Sequence, residues 1–151
     1  MKEEQISFTK LKEKALRLLE RRDHSRMELR FKLRQKGPFT KETFEELVSY
    51  LKDMGYLADE RDLAGRWIRQ WRKEGRGRQW IAGKLKSKGL PTIPLRDDSS
   101  EFESARIYLN KKSGEKKLKQ LDSVERTKIA RRLIARGFSI VLVSSLLKDQ
   151  Q

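Results

Sequence analysis

A single short pattern occurs three times in this chain and limits the architectures it can adopt. Leu29-x-x-x-Leu33-Arg34-Gln35-Lys36-Gly37 returns as Ile81-x-x-x-Leu85-Lys86-Ser87-Lys88-Gly89 and again as Ile129-x-x-x-Leu133-Ile134-Ala135-Arg136-Gly137. The glycines stand 52 and 48 residues apart. Apolar residues four apart share one face of a helix. A cation in the last turn meets the negative end of the helix dipole, and the glycine supplies the left-handed residue that ends the helix. One such ending is ordinary. Three at nearly equal spacing point to tandem copies of one three-helix unit.

The stretches between the repeats fit that scheme. Leu11, Ala15, Leu16, Leu18 and Leu19 form a helical stripe, and Ser25 with Glu28 has the spacing of a capping box. Thr40 caps a third helix whose apolar face is Phe44, Leu47, Val48 and Leu51. Leu63, Ala64, Trp67, Ile68 and Trp71 begin the pattern again, then Trp80, Ile81 and Leu85. Phe102 to Leu109, Val124 to Ile134 and Ile140 to Leu147 supply the last three helices, the final one despite its β-branched residues. No period-two alternation competes. Residues 90–101 contain Pro91 and Pro94 and read as a linker. The expected fold is all-α: a flexible 1–10, repeat 1 over 11–58, repeat 2 over 59–98 with an irregular third segment, and repeat 3 over 99–151.

Composition narrows the function. Lys and Arg total 37 against 22 Asp and Glu, a formal charge of +15, which favours an anionic partner. The absence of cysteine excludes disulfides, thiolate zinc sites and cysteine nucleophiles. The opening Met-Lys-Glu-Glu-Gln lacks a signal-peptide core, and no run of eighteen apolar residues occurs, so a cytoplasmic protein without membrane association is expected. His24 is the only histidine and reads as a turn residue. Asp59, Glu60 and Asp62 read as helix-start acids. Asp97 and Asp98 with Glu101 and Glu103 read as a linker or cap without the rigid support a catalytic carboxylate set needs. No phosphate-binding glycine loop is present. We expect no catalytic residue, metal or cofactor.

The densest signal runs from Arg66 to Lys88. It holds Arg66, Arg69, Arg72, Lys73, Arg76, Arg78, Lys84, Lys86 and Lys88 against one acid, Glu74. Arg66, Arg69 and Lys73 share a helix face separate from the apolar stripe, as a binding helix requires. Gly75 and Gly77 are expected to let backbone amides approach an anion. Trp67 and Trp71 read as core, and Trp80 as either core or a stacking platform for bases. Arg21-Arg22 and Arg131-Arg132 are secondary basic pairs. Lys111-Lys112 and Lys116-Lys117-Lys119 form a further cluster around Gly114.

These residues resemble the RecX family along nearly the whole chain. The resemblance rests on Ala15-Leu16-Arg17-Leu18-Leu19-Glu20-Arg21-Arg22, on Ser25-x-x-Glu28-Leu29-x-x-x-Leu33-x-x-x-Gly37, and on Leu51-Lys52-Asp53-Met54-Gly55-Tyr56-Leu57-Ala58-Asp59-Glu60. It continues through Ala64, Gly75-Arg76-Gly77 and Leu85-Lys86-Ser87-Lys88-Gly89-Leu90, and ends at Ala130-Arg131-Arg132-Leu133-Ile134-Ala135-Arg136-Gly137-Phe138. Order and spacing together carry it. Leu90 stands where isoleucine is commoner, and Pro91 and Pro94 stand where the family has an acidic helix.

The resemblance implies three stacked repeats in an elongated, curved array. It implies a non-enzymatic regulator, expected as a monomer, that binds the RecA recombinase and its filament on single-stranded DNA. Such a protein limits strand exchange and ATPase activity in DNA repair and the SOS response. The competing reading is an autonomous nucleic-acid-binding protein of helix-turn-helix type. Against it, Ser25-Arg26-Met27-Glu28 and Thr40-Lys41-Glu42-Thr43 lack the residues that read base edges.

Overall fold

The computed structural model describes residues 4–92, 98–113 and 120–148. Regular structure in them is helical throughout: α1 (Phe8–Arg21), α2 (Arg26–Arg34), α3 (Lys41–Asp53), α4 (Glu60–Lys73), α5 (Arg78–Ser87), α6 (Asp98–Ser113), α7 (Ser123–Ala135) and α8 (Ile140–Lys148). Among the described residues no helix is long and apolar enough to cross a membrane.

Local chemistry sets the helix starts. Ser7, Ser25, Thr40 and Asp122 each accept a backbone N–H three residues on, which satisfies a donor left over at a helix N-terminus. At Ser25 the capping box is complete, with Glu28 accepting the Ser25 N–H in return. The sequence reading began the first helix at Leu11 and left 1–10 outside it. The Ser7 cap starts α1 at Phe8 instead, and the Ile6 N–H donates to the Pro38 carbonyl.

Gly37, Gly89 and Gly137 all have positive φ, as the shared pattern requires. At the last of them, Gly137 N–H donates to Ile134 O and Phe138 N–H to Leu133 O, the paired bonds of a Schellman ending. The glycine of the motif thus takes a positive φ in all three copies.

The linker reading of residues 90–101 is corrected at its end. α6 begins at Asp98, so Glu101 and Glu103 are helical. Pro94 and Asp97 lie outside the described residues.

Contacts divide the chain into two compact units. The first comprises residues up to Ala64 with Ser87–Pro91, and the second Gly65–Lys86 with Thr92 onward. Unit 1 is built on α1, α2 and α3 around Leu11, Ala15, Leu29, Leu33, Phe44, Leu47 and Leu51, all nearly or fully buried. Unit 2 has a core of Ala105, Leu109, Leu133, Val143 and Leu146 from α6, α7 and α8, with Phe138 from the α7–α8 turn, and it also buries Ile68, Trp71, Ile81 and Leu85.

Candidate nucleic-acid interface

The segment that sequence marks as cationic begins on α4. Helical geometry puts Ile68 and Trp71 inward, where they are buried, and leaves Arg66, Arg69 and Lys73 exposed on another face. Arg72 is half-buried. Lys84 and Lys86 are exposed on α5.

The three tryptophans belong to one aromatic cluster. Trp67 stacks on Trp71 with ring centroids 5.2 Å apart, and Trp80 meets Trp71 edge-on at 5.4 Å. Both geometries suit the aromatic quadrupole. Trp71 is buried, whereas Trp67 and Trp80 keep part of their surface in solvent. The Arg76 guanidinium lies 4.3 Å from the Trp80 ring centroid and the Lys84 ammonium 5.6 Å from it. Trp80 is therefore both a core contact, through Trp71, and a partly exposed ring flanked by cations. That combination suits a nucleobase stacked beside its own phosphate.

Two cations of the segment are bound within their own units. Arg78 Nε lies 3.2 Å from Glu101 Oε2, and the Arg78 backbone N–H donates to Glu101 Oε1 at 2.6 Å. The buried Glu101 carboxylate thus serves the start of α5 from a different helix. Lys88, in unit 1, donates to Glu28 Oε2 at 3.1 Å. Arg22 Nη2 donates to the same oxygen at 2.7 Å. Of the secondary pairs, Arg21, Arg131 and Arg132 are exposed, while Arg22 is half-buried against Glu28. Lys111 and Lys112 are exposed at the end of α6, and Lys116, Lys117 and Lys119 lie outside the described residues.

The glycines of the α4–α5 loop do not act as the sequence reading expected. Gly75 N–H donates to Arg72 O and Gly77 N–H to Arg136 O at 2.8 Å, so neither amide is turned to an outside anion. Gly77 is glycine for closeness. A Cβ there would fall 2.4 Å from the Gly137 carbonyl carbon, and one on Gly137 would fall 2.4 Å from the Trp80 nitrogen. The start of α5 thus lies directly on the α7–α8 corner.

Arg136 completes that junction and was missed as a working residue. Its Nε donates to Gly75 O at 2.9 Å, its Nη2 to Glu74 O, and its guanidinium sits 4.3 Å from the Tyr108 ring centroid. Burial and then the nearby Arg76 charge lower its pKa. The repeat motif supplied the signal: each copy keeps a cation just before the glycine.

Around His24 lies the most buried polar cluster of unit 1. Its Nδ1 is 2.9 Å from Arg22 O and its Nε2 is 2.8 Å from Lys32 Nζ. A carbonyl only accepts, so Nδ1 carries the proton and Nε2 accepts from lysine. Burial lowers the His24 pKa; the bond to the Arg22 carbonyl works against this, and the Arg22 and Lys32 charges add to the lowering. At Glu28 burial acts to raise the carboxyl pKa, but Arg22, the Ser25 N–H and Lys88 outweigh it and hold the group at about 2. The Ser25 hydroxyl, fully buried, donates to the Lys88 carbonyl. These groups fasten the α1–α2 turn to the end of α5 inside unit 1.

Comparison with known proteins agrees with this architecture. The sequence profile "RecX, first three-helix domain" matches residues 12–51. Regulatory protein RecX of Vibrio cholerae is 37% identical over 131 residues, covering 85% of each chain. Its namesake from Legionella pneumophila is 31% identical over 145 residues, covering 94% of this chain and 95% of the relative. The crystal structure of RecX from Lactobacillus salivarius superposes with a TM-score of 0.73, covering 95% of this chain and 96% of that one at 20% identity, a likeness of fold.

Proposed function

The chain belongs to the RecX family of regulatory proteins, and on that premise we propose that it binds the RecA recombinase and its filament on single-stranded DNA and restrains strand exchange and ATP hydrolysis there. The protein works by occupying surface rather than by chemistry, in DNA repair and the SOS response, as a cytoplasmic monomer without a cofactor. One observation carries the nucleic-acid part: unit 2 sets exposed Arg66, Arg69 and Lys73 on one helix face and flanks a partly exposed Trp80 with Arg76 and Lys84. Cations that meet phosphates supply affinity without sequence preference. An aromatic ring favours single strands, whose bases are available to stack. A ligand that binds one state of a filament more tightly than another shifts the population toward that state, so inhibition needs no catalytic group.

Arg78 and Lys88 belong to the fold in this reading, since each is held by a carboxylate of its own unit. Arg131 and Arg132 are further exposed cations of unit 2, and Arg21 is one of unit 1.

The test is ATP hydrolysis by recombinase on single-stranded DNA, measured with and without stoichiometric protein. We expect the rate to fall. An unchanged rate, with the protein still retained on bare strands, would favour the autonomous nucleic-acid-binding reading.

A further inference from the structure

The α7–α8 corner, on which the start of α5 packs, also carries exposed aliphatic side chains. Ile140 and Val141, the first residues of α8, are 68% and 77% exposed, and Ile134 in the last turn of α7 is 41% exposed. Ile134 precedes Gly137 by three residues and Ile140 follows it by three, so both lie within one turn of the corner. α8 buries Val143 and Leu146, with Leu142 and Leu147 against the same core, while Ile140 and Val141 lie on its exposed side with Ser144, Ser145 and Lys148.

Local needs do not account for these side chains. β-Branched residues are weak helix formers, so an exposed helix start gains nothing from them. The start is already capped by Ser139 Oγ, which accepts the Leu142 N–H at 3.1 Å. The charged residues of the two helices and the corner near these side chains are cations: half-buried Arg136 in the corner, exposed Arg131 and Arg132 on α7, and exposed Lys148 at the end of α8. The acid of α7, Glu125, lies nine residues before Ile134, about 13 Å along the helix axis.

We propose that this corner is a protein-docking surface, fitted to a partner that presents aliphatic side chains bordered by carboxylates. Basic residues beside an apolar centre select such a partner by charge complementarity. Nucleic acid fits poorly here, because branched aliphatic side chains offer no π-face to a base. Rings with adjacent cations lie instead at Trp80. The proposal rests on the recombinase-regulator reading and divides its labour: the corner grips protein, and the α4–α5 cations grip the strand.

The experiment uses the full chain and two variants, Ile140→Ser/Val141→Ser and Val141→Glu, each checked for unchanged helical circular dichroism. Affinity is measured separately for DNA-free recombinase and for a single-stranded oligonucleotide. We expect both variants to lose at least tenfold in affinity for the recombinase and to keep strand affinity within twofold. Recombinase affinity within twofold of the parent in both variants, or strand affinity falling in parallel, overturns the docking surface alone. A parent protein that does not bind recombinase at all overturns the regulator reading and this proposal with it.

Discussion

Replacing Arg66, Arg69 and Lys73 with alanine removes three cations from the exposed face of α4 and touches nothing in the core, since the apolar residues of that helix lie on another face. Six cations of the segment are exposed or flank Trp80: Arg66, Arg69, Lys73, Arg76, Lys84 and Lys86. If all six meet phosphates of a single strand, log K falls with log salt at a slope of about −4, and the triple variant brings that to about −2. Between 50 and 200 mM salt the parent then loses about 300-fold in affinity and the variant about 20-fold. Fluorescence anisotropy of a labelled oligonucleotide across a salt series reads both slopes. Arg78→Ala, assayed alongside, leaves the slope near −4, because Arg78 is already paired with Glu101. A triple variant with the parent's slope, or an Arg78 variant with the larger change, would refute the assignment of phosphate contacts to α4.

Trp80→Ala should weaken strand binding about fivefold or more at every salt concentration without altering the slope, because stacking releases no counterions; a changed slope would make its role electrostatic. Gly77→Ala places a methyl 2.4 Å from the Gly137 carbonyl carbon, so urea denaturation should show a loss of about 3 kcal/mol, and a loss under 0.5 kcal/mol would contradict the contact between the α5 start and the α7–α8 corner. Glu28 is held at about 2 against an ordinary 4.5. Because its folded pKa is depressed, its contribution is present above pH 4.5 and is lost as pH falls from 4.5 toward 2. Glu28→Gln should therefore cost about 2–3 kcal/mol at pH 7 and remove that acid-sensitive limb from the stability profile; an unchanged limb would deny Glu28 its place between Arg22 and Lys88.

Periodicity made the helices legible, because an apolar stripe and a capping residue are local facts. Ser25 with Glu28, and the glycines that close the motif, were readable for that reason. Residues whose partner is remote in sequence were not. Glu101 looked like part of a linker, yet it holds Arg78, 23 positions earlier. Gly77 looked like an anion cradle, and its role became clear only beside Gly137. Lys88 read only as a site cation, and its bond to Glu28, 60 positions away, was not visible. The cationic face of α4 was readable because helix geometry alone sorts it from the core. Trp80 was not, because its ring answers to Trp71, Arg76 and Lys84 together.

The most direct measurement titrates the parent protein and the charge-reversed variant Arg66→Glu/Arg69→Glu/Lys73→Glu into recombinase hydrolysing ATP on single-stranded DNA. The account predicts that the parent suppresses hydrolysis and that the variant, with unchanged helical content, needs at least tenfold more protein for the same suppression. Equal suppression by both would contradict the claim that the exposed α4 cations carry the regulation.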